Sequence, residues 1–448
     1  MNVPRFLSRL GDYGELARDA LVYVVAGTLV RSVSVVVVPV LTRTLSVASF
    51  GVIETLTALQ LSVCAFAGMN LDTALVRYYY ESRDAGGRRT LVTTIMAATL
   101  VTCLASALAV AAAAQALSSW FFQTAAFASP ILMIAASVPP MTLGNVALTV
   151  LRLERRSTAF AVVGFIAGLA QGALVAGTAW FSHGSITAIA GAQLAGASIF
   201  AVLAIISVRS SLVFAFSWPA LRRAAAFSLP LFPSVLISWY LSWANRFFLV
   251  SMASPAATGV FAAASKIHIV VVALTQAFLN AAKPYIMSQA NEPRSPRVLA
   301  RLMMAAAVAL AVGTVVTAAT AQGILRVYAG PAYGQAGMTA AMLVLSTCLS
   351  FGIAGYYALR LELAERTAYM SLAQGGTFLV TTALNLWLIP LAGSEGAAAA
   401  VIGGSLAQAV LLRIIAGRLH EPALPAWTWS VPAAAGLILV LARVLGLL

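Results

Sequence analysis

Long apolar runs alternate with short polar gaps along the whole chain. Stretches of 20 or more apolar residues, each enough to cross ~30 Å of hydrocarbon at about 1.5 Å per residue, occur at about thirteen places. They begin near Ala20, Val47, Leu91, Ala125, Ala159, Ser185, Ala225, Ala256, Leu302, Ala336, Ala368, Gly396 and Trp427. The pattern predicts an all-α polytopic membrane protein. The first run follows Arg5 and Arg9 as a secretory signal would, but it continues through Val40 without an Ala-x-Ala site and reads as a retained span. Before it, Phe6, Leu7, Leu10 and Tyr13 sit at helical spacing among charges and predict a short helix in the membrane interface.

Composition closes off the other classes. With 61% hydrophobic and 9% charged residues in a chain of 448, there are too few charges to coat a soluble globule. A soluble enzyme on an anchor, a disordered scaffold and a secreted disulfide protein are excluded with it. A net charge of +14 raises nucleic acid as a partner. The cations, however, fall in every second gap: 21 of 27 lie on the side that holds Arg77, Arg88, Arg152, Arg209, Lys283, Arg360 and Arg413. That is the positive-inside pattern, so the expected partners are membrane lipids, not nucleic acid, and the N-terminus is expected in the cytoplasm. Cys64, Cys103 and Cys348 lie scattered inside apolar runs and offer neither a disulfide frame nor a metal site.

Shifting the sequence by 208 residues without a gap pairs Ser46 with Ser254, Gly51 with Gly259, Val63 with Val271 and Asp72 with Asn280. Six spans separate the two copies, an even number, so the halves are expected to share orientation, with a ligand site near mid-membrane between them. The expected division is a first lobe over 1–215, a second over 216–420 and an extra apolar helix over 421–448.

Charges inside the runs carry the candidate chemistry. Arg31 lies about eleven residues into the first run, Arg246 late in the seventh and Lys266 about ten residues into the eighth. An arginine at mid-membrane costs roughly 2.5 to 3.5 kcal/mol on insertion scales, so it is expected against a wet cavity or an anion. The acids are Glu54 in the second run and Asp72 near that run's cytoplasmic end. An excess of intramembrane cations favours an anionic ligand, and the planar guanidinium suits phosphate. The competing account is structural: Glu54 pairs Arg31 or Lys266 and only ties helices together, while Arg246 snorkels to the outer headgroups. Pro230 and Pro233 in the seventh run, and Pro139 with Pro140 in the fourth, free backbone carbonyls; they are hinge candidates, static kinks being the commoner use.

The stretch S-L-P-L-F-P-S-V-L-I-S-W-Y-L-S-W-A-N-R-F-F-L from Ser228 to Leu249, followed by T-G-V-F-A-A-A-S-K-I from Thr258 to Ile267, resembles the polysaccharide transporter branch of the multidrug/oligosaccharidyl-lipid/polysaccharide exporter superfamily, the Wzx-type oligosaccharide flippases. Leu41–Gly51 resembles that family's first hairpin, Tyr328–Ala336 its ninth-to-tenth connection and Asn385–Ala398 its eleventh-to-twelfth hairpin. One departure stands at Asn245, where the family often has Asp beside Arg-Phe-Phe; it removes a proton carrier next to Arg246.

The resemblance implies two pseudo-symmetric six-helix lobes in a V, about 12 to 14 transmembrane helices in all, in a bacterial inner membrane. It implies alternating access that moves undecaprenyl-diphosphate-linked oligosaccharide repeat units outward, in the company of a pathway's polymerase and export machinery. Arg31, Arg246 and Lys266 are then expected to contact the diphosphate or acidic sugars, with Glu54, Asn245 and Asp72 as polar or ion-coupling groups. No cofactor is implied; a proton or sodium gradient or the membrane potential is the available drive. Two other readings stay open: a cation-coupled multidrug exporter of the same superfamily, which wants acids in its cavity, and a polytopic enzyme of polysaccharide assembly. No nucleophile with a base, no phosphate-cradling glycine loop and no metal spacing supports the latter.

Overall fold

The computed structural model describes residue 33 and residues 36–82, 84–288, 295–418, 424 and 426–444. Arg31 and the expected interfacial segment before it lie outside these residues. Among the described residues every regular element is a helix. In chain order they are α1 (Val47–Gly68), α2 (Leu71–Tyr79), α3 (Ala85–Ala112), α4 (Ala114–Phe122), α5 (Ala128–Leu153), α6 (Ser157–Phe181), α7 (Ile186–Ser207) and α8 (Trp218–Trp243). Then follow α9 (Asn245–Met252), α10 (Pro255–Ser288), α11 (Ser295–Tyr328), α12 (Ala336–Thr347), α13 (Ala354–Leu363), α14 (Ala368–Arg418) and α15 (Ser430–Val444). A π-helical turn, Cys348–Ile353, joins α12 to α13.

Among the described residues ten helices, with α12 to α13 taken as one, are long and apolar enough to cross a membrane. One of the ten, α14, contains two of the expected spans: it is two helices meeting at Gly393, whose φ of 51° is cheap only for glycine. Helix starts at Val47, Ala336 and Ala368 coincide with the hydropathy pattern. The seventh span instead starts at Trp218, because Ser217 caps it by accepting from the Ala220 N–H at 3.3 Å, and the helix carries Arg222 and Arg223 ahead of its apolar stretch.

The packing divides the chain into two units. The first holds the described residues up to Leu45 and Leu56–Leu236, the second Ser46–Thr55 and everything from Ile237 onward. Helix α1 therefore begins in the second unit and ends in the first. The other passage lies inside α8, three residues after Pro233, and the helix runs unbroken through Pro230 and Pro233.

In the first unit α5 packs along α3 and α7, and Leu75, Val92, Ile95, Val150 and Leu151 fill the core between them. Val101 and Leu108 of α3 point away from it, as lipid-facing residues do. The buried polar groups are neutral: Gln60 Nε2 donates to Ser137 Oγ at 2.7 Å, and Gln193 Nε2 to Thr57 Oγ1 at 3.2 Å. Amides in an apolar interior need such partners, since an unsatisfied one costs about 1–3 kcal/mol.

In the second unit α12 and α13 are the most enclosed helices, with Tyr356 and Tyr357 buried among α11, α14 and α15. Thr347, just before the π-helical turn, is 2.8 Å from His268 Nε2 of α10. The final helix, α15, is tied at both ends. At one, Arg413 stands over the Trp429 ring at 5.4 Å and the Leu424 N–H donates to the Tyr357 hydroxyl at 3.3 Å. At the other, Arg443 pairs with Glu395 at 2.9 Å. It thus runs from one end of the unit to the other, packed on α11 and α12.

Candidate functional site: a buried charge cluster

Two helix starts build the site. Ser46 Oγ accepts from the Ser49 N–H at 3.1 Å, and Ser254 Oγ from the Ala257 N–H at 3.0 Å, so both serines of the 208-residue repeat cap the helix that follows them. The paired glycines come next. A Cβ on Gly51 would run into the Pro255 carbonyl and stand 2.8 Å from the Gly259 nitrogen, and one on Gly259 would run into the Val47 carbonyl. At these glycines α1 and α10 cross backbone to backbone, which only residues without a side chain permit.

The crossing sets the charges in register. Glu54 follows Gly51 by three residues, and Lys266 follows Gly259 by seven, about one and two helical turns. Lys266 Nζ donates to Glu54 Oε1 at 2.7 Å. Arg246 comes from a third direction: the seventh span breaks at Ala244 and restarts as α9, putting Arg246 in the new first turn. Its Nε lies 3.5 Å from Glu54 Oε2, and its guanidinium stacks over Trp243 at 4.5 Å from the ring centre. The Arg246 side chain is 3% exposed and that of Lys266 25%. One carboxylate is thus shared by two cations, and the cluster carries one net positive charge.

Neutral polar groups surround it. Asn385 of α14 donates to Asn245 Oδ1 at 2.8 Å, while its own Oδ1 is buried without a hydrogen-bond partner. Tyr333, in the connection before α12, packs edge-on to Phe50 with ring centres 5.9 Å apart, and its hydroxyl is likewise buried and unpartnered. Burial, and after it the nearby Glu54 carboxylate, holds that phenol above its ordinary pKa, so it stays a neutral donor.

Glu54, Arg246 and Lys266 thus come together in the second unit, while Asn245, next to Arg246 in the chain, is held by Asn385. Arg246 does not reach for headgroups. Asp72 does not join them; it is exposed in the first turn of α2 in the first unit. Pro230 and Pro233 lie in α8, next to the passage between units and away from the charges in sequence. Asn385 and Tyr333 are the site residues the reading of the chain passed over. Both sit inside stretches that carried the resemblance, the one feature that sets them apart from the other neutral polar residues of the runs.

The model of the family described as "Polysaccharide biosynthesis protein" matches residues 40–336, well over half of the chain. The chain belongs to this family. No curated protein matches this polysaccharide biosynthesis protein by sequence. Among solved structures, the lipid II flippase MurJ in an inward closed conformation superimposes with a TM-score of 0.74 at 12% identity, covering 95% of this chain and 99% of that one. An inward-facing multidrug resistance transporter of the MATE family gives 0.60 at 13% identity, covering 88% and 94%. A transporter of the same superfamily from Pyrococcus furiosus gives 0.55 at 14%, covering 91% and 94%. The fold of this family member is therefore that of the multidrug/oligosaccharidyl-lipid/polysaccharide exporter superfamily, as the sequence motifs implied, and the protein is a multi-pass membrane protein.

Proposed function

We propose that this protein is a flippase that carries undecaprenyl-diphosphate-linked oligosaccharide repeat units from the cytoplasmic to the outer leaflet of a bacterial inner membrane by alternating access. The observation that carries the reading is the Glu54–Lys266–Arg246 cluster, a surplus of positive charge inside apolar helices of a polysaccharide biosynthesis protein. Charge there is costly unless it is paired or used. Lys266, the more exposed cation, meets the diphosphate first, with Arg246 behind it and Arg31 as a further contact. Glu54 holds both cations in place while the cavity is empty and yields Lys266 to the incoming phosphate. Pro230 and Pro233, beside the α8 passage, let that helix flex as the units move. The N-terminus is cytoplasmic in this reading. An anion moving outward follows an inside-negative potential, about 2.3 kcal/mol per charge per 100 mV, so the membrane potential alone suffices as drive.

The test is the distribution of lipid-linked oligosaccharide between leaflets in cells lacking the protein, and in cells carrying Arg31→Ala or Lys266→Met. Cytoplasmic-side accumulation in all three is expected. Normal distribution in the deletion would pass the assignment to a cation-coupled exporter. Accumulation in the deletion alone would keep the flippase and remove the cationic site.

A further inference from the structure

Two stretches of family-like sequence have no part in the charge cluster beyond one residue each: the connection around Tyr328–Ala336 and the hairpin around Asn385–Ala398. Together with the start of α10 they line one cavity of about 760 Å³, wholly within the second unit. That is the size of a small-molecule site. It exists because its walls are small residues. Ala256, Ala257 and Ala318 form one side with Val260, and Gly334, Gly337 and Gly393 bring backbone to the others.

The cavity lies at the end of the unit opposite Lys283, Arg360, Arg413 and Arg418, among the ends of α11 and α15 and the starts of α10 and α12. By the positive-inside pattern this is the outer end. Its polar groups are Gln322, Gln335, Ser394, Glu395 and Arg443. The single acid and single base are spent on each other, at 2.9 Å. What remains are amides and a hydroxyl, able both to donate and to accept, above an apolar wall. A free phosphate would need an uncompensated cation in the lining, and Arg326, whose side chain stands against Gly334, is not part of that lining. A sugar ring offers what this lining asks for: hydroxyls around its edge and C–H groups on its face.

We propose that this cavity is a second ligand site, for neutral sugar residues, which holds the glycan of the cargo at the outer end of the second unit before release. The cargo part of this inference rests on the flippase reading; the sugar chemistry does not. Helix α15 is part of the site, since Arg443 neutralises Glu395 and leaves the lining residues without net charge. A missing Arg443 would leave an acid facing the glycan.

The experiment uses Gln335→Cys, on the exposed rim, in the full-length protein in membranes. The native cysteines lie inside spans. The variant is labelled with a membrane-impermeant maleimide from the outside, with and without oligosaccharides made by partial hydrolysis of the host's own surface polysaccharide, or with sodium diphosphate. Ser394→Cys is the second reporter should Gln335→Cys fail to insert. The oligosaccharides should slow labelling roughly three- to tenfold, the scale of one or two hydrogen bonds, and Gln322→Ala should weaken that protection by a similar factor. Diphosphate should leave it unchanged. Labelling indifferent to sugar, labelling slowed by diphosphate alone, or labelling only from the cytoplasmic side would each overturn the site. If the deletion strain accumulates lipid-linked sugar on the cytoplasmic side while protection is missing, the cavity falls and the flippase stands. Protection without accumulation does the reverse.

Discussion

A carboxylate held between two cations is only as stable as the set. Removing Glu54 by Glu54→Gln strands Arg246, whose side chain is 3% exposed, and should cost about 3–5 kcal/mol. Thermal unfolding of the detergent-solubilised protein measures this, and adding Arg246→Met to Glu54→Gln should recover part of the loss. A double variant no better than the single one would show that the two groups are not coupled. Lys266 sits differently, a quarter exposed. Lys266→Met should insert and unfold nearly as the parent does while losing transport, and Lys266→Arg should retain it. These three charges were legible in the sequence because a charge in an apolar run has few inexpensive uses. Asn385 and Tyr333 were not, since neutral polar residues occur in every run and a single sequence does not say which of them face inward. The place of Asp72 was not legible for a related reason: an acid beyond the end of a span looks the same whether it continues the span or starts a new helix, as it does in α2.

Among the helices, the contact between α1 and α10 is the least forgiving. Gly51→Ala or Gly259→Ala drives a methyl group into a carbonyl of the facing helix, and should destabilise by about 1–3 kcal/mol or more, with loss of transport. Gly177→Ala in α6, where a Cβ meets nothing within 4 Å, is the matched control and should be neutral or stabilising by up to about 1 kcal/mol. Equal melting shifts at the two kinds of site would mean that the crossing is looser than described. Hydropathy located most helices because an apolar run of this length has one structural use in a membrane. It missed the true start of α8, which Ser217 decides by capping, whereas the two spans it drew over 368–418 are the two helices that meet at Gly393, a joint marked in the sequence by Gly393, Ser394 and Glu395. The paired serines and glycines were visible as a repeat, but their use, one as caps and the other as a crossing, depends on which helices meet.

For the whole molecule, the helix count has a topological consequence. Helix α15 extends along the second unit from its arginine-rich end, at Arg413 and Trp429, to the opposite end at Glu395 and Arg443. An alkaline phosphatase fused after residue 444 should be active and a fluorescent protein fused there dark, the reverse of fusions made in the gap at Arg209–Ser211. Matching signals from the two positions would take α15 out of the membrane. The share of α1 between units was not legible in hydropathy, because where a helix changes partners depends on packing and not on its own polarity. It bears on how the protein is made. Gly259 leaves the ribosome 208 residues after Gly51, a delay of roughly 10–40 s at ~5–20 residues per second. Throughout that interval Glu54 is in a nascent chain that lacks Lys266, and for most of it lacks Arg246 as well. A chain halted before the seventh span therefore leaves Glu54 in the membrane without either Arg246 or Lys266. Completion of the second unit waits on its last-made partner, and the segment from Ser46 to Thr55 has to remain available to it until then.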